Sequence, residues 1–93
     1  MLETNKFDAA SYINSREDVI AYLNAVLDEG DPSALPEALG TIARSQGMTA
    51  ISRQTGLKRE GLYRSLATGG NPSFVTVVKV LEALGMRLSV TAS

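Results

Sequence analysis

The stretch MTAISRQTGLKREGLYRSL, Met48 to Leu66, decides the fold of this 93-residue chain. It divides at Gly56 into two short helical patterns. Thr49 reads as the cap of a first helix running through Thr55, Gly56 and Leu57 as a tight turn, and Arg59 to about Ala67 as a second helix. Ile51, Leu57, Leu62 and Leu66 form the apolar contact that fixes the crossing, Ser52 is small enough to let the second helix approach, and Gly56 supplies the positive φ of the turn. With Leu62 and Leu66 inward, the helical step turns Glu60 and Arg64 outward and sets Arg59 and Tyr63 on one flank. Such a helix suits a DNA major groove. Arginine pairs with guanine, glutamate accepts from cytosine, and Lys58 meets phosphate; Thr49 and Arg53 on the first helix complete the candidate DNA-binding set. An ordinary helical hairpin with a charged solvent face is the plain alternative.

Outward from this unit the chain reads as helix throughout. Residues 1–14 show no sustained period and suggest an arm, although Phe7, Tyr12 and Ile13 are apolar for a free tail. Ser15 caps a helix whose stripe is Val19, Ile20, Leu23, Val26 and Leu27, with Tyr22 on its flank, stopped by Gly30. Asp31, Pro32 and Ser33 open the next helix, with Leu35, Leu39, Ile42 and Ala43 inward; Gly40 marks a close helix contact and Gly47 the end. After the second helix of the opening stretch, Asn71 reads as a cap and Pro72 as a first-turn residue. A last helix runs from Ser73 to Leu84 with Phe74, Val77, Val78, Leu81 and Leu84 on one face. Its valines make a strand the competing reading. Met86 to Thr91 alternates and suggests a short terminal strand. The expected fold is all-α, with an N-terminal arm and acidic helix over residues 1–30 and a DNA-binding and dimerisation domain over residues 31–93.

Composition narrows the function. The chain has no cysteine and no histidine, which removes thiolate and imidazole ligands together with the commonest general base. No cofactor or metal is expected, and an enzyme is the weakest reading because no acids are spaced as a catalytic pair. No apolar run reaches membrane length and no signal core opens the chain, so the expected location is cytoplasmic. The net charge of −1 hides an asymmetry. Residues 1–47 hold Glu3, Asp8, Glu17, Asp18, Asp28, Glu29, Asp31 and Glu37 against Lys6, Arg16 and Arg44; residues 48–93 hold Arg53, Lys58, Arg59, Arg64, Lys79 and Arg87 against Glu60 and Glu82. Two partners of opposite charge fit this split.

The stretch from Gly47 to Gly85, with its GGNPS loop and the LEALG helix end, resembles the phage-repressor-type (XRE) helix-turn-helix family. That resemblance implies a five-helix, lambda-repressor-like domain that binds operator DNA as a dimer. FDAASYI, the acidic helix and EGDPSALPEALGTIARSQGMTAISRQTGLKREGLYRSL resemble the addiction-module antidote proteins related to HigA antitoxins, over nearly the whole chain. Ser52 departs from the alanine usual in that family. The resemblance implies a type II antitoxin that neutralises a small basic RelE/ParE-like toxin and represses its own operon on double-stranded operator DNA. Phe7, Tyr12, Ile13, Ile20 and Tyr22 are then candidate toxin contacts, with Tyr22 preferred to Ile20, which lies on the buried stripe. Val75, Val80, Leu88 and Val90 are candidate homodimer contacts; a terminal strand packed on its own domain is the alternative. A stand-alone XRE-type regulator without a toxin and an interaction module that has lost DNA binding remain as other readings.

Overall fold

A computed structural model describes residues 15–93. Phe7, Tyr12 and Ile13 lie outside the described residues. Helix α1 spans Arg16–Asp28, and the Ser15 hydroxyl caps it by accepting from the Asp18 N–H at 3.1 Å. Glu17 and Asp18 add negative charge to its first turn, where the helix dipole favours it. The Asp31 carboxylate then accepts from the Ser33 N–H at 3.0 Å and the Ser33 hydroxyl at 2.6 Å. These two bonds, the hydroxyl's first, hold the Asp31 carboxyl below its usual pKa. They shape a single 3-10 turn, Pro32–Ala34, which leads into α2, Leu35–Gln46, with Pro36 in its first turn.

Three shorter helices follow: α3, Met48–Thr55, α4, Arg59–Ser65, and α5, Phe74–Ala83. The all-α, five-helix expectation is met among the described residues. Helix α1 packs on α2, α2 on α3, and α3 on both α4 and α5; α2 also touches α4. Leu39 and Ile42 from α2, Leu62 and Leu66 from α4 and its end, and Val80 from α5 are the largest fully buried side chains. Val19 and Leu23 of α1 enter the same core. No helix among the described residues is long and apolar enough to cross a membrane.

Gly40 is where α2 and the end of α4 meet. A Cβ at Gly40 would fall 1.9 Å from the Leu66 carbonyl oxygen, so only hydrogen fits. At the other end of the core, α5 closes in a Schellman motif: the Met86 N–H donates to the Leu81 carbonyl at 2.8 Å and the Gly85 N–H to that of Glu82 at 3.0 Å. The Arg16 guanidinium donates to the Gly85 carbonyl at 2.9 Å, which ties the start of α1 to the end of α5.

Several sequence expectations are corrected. No strand forms among the described residues; Met86 onward has no neighbour to pair with, and Leu88 and Val90 are exposed. Val80 is fully buried beneath α5, which removes it from any interface between copies. Phe74, assigned to the buried face, is 71% exposed because it is the first residue of α5, at the helix end away from the core residues Val80 and Leu81. The cap of α5 is Ser73, whose hydroxyl accepts from the Thr76 N–H at 3.1 Å, so Asn71 and Pro72 precede the helix. Thr49 does not cap α3. Gly47 turns with φ 104° after donating back to Ala43 and Arg44, and α3 starts at once at Met48.

Gly40 and Gly61 provide opposite tests of helix packing. In a free helix, alanine is favoured over glycine by about 1 kcal/mol. Gly61, inside α4, has open space where a Cβ would stand. Gly61→Ala should therefore stabilise the protein by up to about 1 kcal/mol in urea unfolding. Gly40→Ala should instead destabilise it by about 1–3 kcal/mol, because backbone has to move.

Candidate nucleic-acid interface

The turn between α3 and α4 is fixed by side chains from α3. Gly56 takes the left-handed conformation, φ 76° and ψ 11°, and its N–H closes α3 on the Ser52 carbonyl at 2.9 Å. The next residue, Leu57, lies outside both helices, so neither its N–H nor its carbonyl has a helical partner. Two hydroxyls supply them. Ser52 donates to the Leu57 carbonyl, and Thr55 accepts from the Leu57 N–H at 3.2 Å. The Thr55 hydroxyl, buried, itself donates to the Ile51 carbonyl at 2.8 Å. Leu57 thus packs against the core with both backbone groups satisfied. The serine that departs from the resembled family's alanine has a bonding role here.

Helix α4 is held down by Leu62, 1% exposed, and by Leu66 at its C-cap. It stops at Ser65 rather than Ala67 because the chain leaves helical geometry at Leu66, φ −100° and ψ 50°. Lys58, Arg59, Glu60, Tyr63 and Arg64 are all exposed. The Arg59 guanidinium stands 6.0 Å from the centroid of the Tyr63 ring, a cation–π distance that orders the two as one flank. Thr49 and Arg53 are exposed one turn apart on α3. Gly61 falls beside Glu60 and Arg64 on the outward side of α4. The structure therefore gives α4 a solvent face of two arginines, a glutamate and a tyrosine around a glycine, on a helix whose inner face is locked.

The other sequence-derived candidates do not form one site. Ile20 is 41% exposed whereas Tyr22 is half-buried against the core, the reverse of the expected order. The reason lies in the helix period. Val19, Tyr22, Leu23 and Val26 make the inward set, and Ile20 and Leu27 occupy a second stripe beside it. Leu27 and Phe74, both assigned inward from sequence, are exposed. Val75 stands exposed at the start of α5, while Leu88 lies near the helix's other end, in a groove with Ile20 and Leu27.

A family model described as "Probable addiction module antidote protein" matches residues 3–92. The chain belongs to that family. A curated protein of Haemophilus influenzae, named only as uncharacterized, is 44% identical over 87 residues, covering 94% of this chain and 90% of the relative. No solved structure matches the chain. This member of the family has an acidic first half and a basic second half, in which α4 presents its exposed face.

The turn predicts its own energetics. Thr55→Val leaves the Leu57 N–H unpaired and should cost about 1–3 kcal/mol in urea unfolding, whereas Ser52→Ala should cost about 0.5–1.5 kcal/mol. Both act on Leu57, so the double variant should cost measurably less than the two together.

Proposed function

We propose that the chain is the antitoxin of a type II module, which neutralises a small basic RelE/ParE-like toxin and represses its own operon. The α3–turn–α4 unit acts as the DNA reader of a lambda-repressor-like, XRE-type domain. The observation that carries this reading is the outward face of α4, where Arg59, Glu60, Tyr63 and Arg64 stand exposed on a helix anchored by Leu62 and the Leu57 turn. Arg59 and Arg64 read guanine edges, Glu60 reads cytosine, and Lys58, Arg53 and Thr49 hold phosphate. The open space over Gly61 lets the α4 backbone come close to the base edges. Recognition of a palindromic operator takes two copies, for which exposed Val75 and Val90 are the remaining apolar candidates. The module acts in the cytoplasm, and the chain performs no catalysis of its own.

One observation favours a second reading. Because α1 shares its core with α2–α5, the first half folds onto the domain, as a stand-alone regulator would need. The neighbouring reading frame separates the two: a short basic protein encoded beside this gene supports the antitoxin, and an isolated gene supports the regulator.

DNA binding is tested on duplexes from the promoter upstream of the gene. Arg59→Ala and Arg64→Ala should each weaken binding by about 1–3 kcal/mol and relax sequence preference. An equal loss on every sequence would assign the arginine to phosphate, and no loss from either would remove α4 from the interface. Gly61→Ala should weaken operator binding even as it raises the unfolding free energy; stronger or unchanged binding would show that α4 does not approach so closely.

A further inference from the structure

The first turn of α5 carries Phe74, 71% exposed, beside Val75, 59% exposed. Val78 follows one turn on from Phe74 and is only half-buried. The helical step sets the three within an arc of about 100°, beside the row of Val77, Val80 and Leu81 that faces the core. A ring left in water next to two aliphatic side chains marks a contact surface more often than a solvated one. The loop before it is folded tightly. A Cβ at Gly70 would fall 2.1 Å from the Ser65 carbonyl oxygen, and the Gly70 N–H donates to the Ala67 carbonyl at 2.8 Å. The chain therefore doubles back on the end of α4 before α5 begins.

A second copy of the chain fits this face. From Ser65 to Val78 no residue carries a charge, and the nearest charges along α5, Lys79 and Glu82, are opposite in sign. A contact across a two-fold axis sets residues near their own copies, where like charges would repel; a neutral apolar patch matches itself. Distance gives the same answer. Phe74 lies four residues beyond Gly70, so its backbone is within about 20 Å of the end of α4. Two reading helices on neighbouring half-sites stand about 34 Å apart, each about 17 Å from the axis between them. The other exposed apolar group, Ile20, Leu27 and Leu88, belongs to α1 and the C-terminal segment, and α1 packs chiefly on α2. We infer that Phe74, Val75 and Val78 form the contact of a two-fold homodimer, which holds two α4 helices one turn of DNA apart. The inference rests on the DNA reading above and deepens it by fixing the pairing face: Phe74 joins Val75, and Val90 has no part in it.

Sedimentation of the full chain without DNA reads the face directly. The parent should sediment as a dimer, and Phe74→Ser with Val75→Ser as a monomer at the same concentration. Both side chains are exposed in a single copy, so the variant should keep the helical circular dichroism of the parent. Leu27→Ser removes an exposed leucine from α1 and should leave the dimer intact. On the promoter duplex, the footprint of the parent should show two inverted half-sites with centres about 10 base pairs apart. The double serine variant should bind that duplex about a hundredfold more weakly, because its second half-site contact is no longer tethered to the first. Serine adds no charge, so repulsion from phosphate cannot account for the loss. A parent that is monomeric both free and on the duplex overturns the inference. If the parent dimer binds no promoter duplex, the DNA reading falls and the inference with it. If the parent dimer binds DNA and the double serine variant is still dimeric, or Leu27→Ser is not, the face assignment alone is overturned.

Discussion

The backbone contact between Gly40 and Leu66 is the constraint on which the arrangement of the second half depends. It brings α2 against the end of α4 at a distance no side chain could share. Leu39 and Ile42 on one side and Leu62 and Leu66 on the other are fully buried around it. Close packing of this kind leaves little room for α4 to slide or rotate. The orientation of the outward face of α4 therefore follows from an absent methyl group on a different helix.

The hydroxyls of Ser52 and Thr55 complement that constraint at the other end of α4. A turn between two short helices leaves backbone groups without helical partners, and water would otherwise compete for them. Here the α3 side chains satisfy both groups of Leu57, while its own side chain packs inward. Helix α4 spans only seven residues and has no side-chain cap, so little of its stability is intrinsic. Tertiary packing at one end and the hydroxyl pair at the other hold it in place. Its exposed residues therefore take no part in holding it to the core.

Much of this was legible in the sequence, and the exceptions have definite causes. The two helices around Gly56, the inward Ile51, Leu62 and Leu66, and the outward Arg59, Glu60, Tyr63 and Arg64 follow from the helical period, which a short amphipathic helix expresses strongly. The close contact at Gly40 was also signalled by a glycine inside an apolar pattern. Helix α1 was harder, because Ile20 and Leu27 merge with Val19, Leu23 and Val26 into one wide stripe when only spacing is considered. Which part of such a stripe is covered depends on how much neighbouring surface exists, and α2 covers only part. The tail from Met86 failed for a different reason. Alternation marks a segment able to pair, but a strand requires a partner edge, and none of the described residues offers one. The roles of Ser52 and Thr55 carry no periodic signal at all, since a hydroxyl's bonding depends on the turn it faces.

The hydrogen bond from Arg16 to the Gly85 carbonyl joins residues 69 apart in sequence. Contacts of such separation form late, because the chain between them must first be ordered. During synthesis α1 emerges well before α5: it can pack on α2 as soon as that helix is made, whereas this bond must wait for residue 85. The bond to Gly85 is therefore a late addition to a helix already held by its contact with α2. A chain ending before residue 85 keeps the α1–α2 contact but loses this tie between the start of α1 and the end of α5.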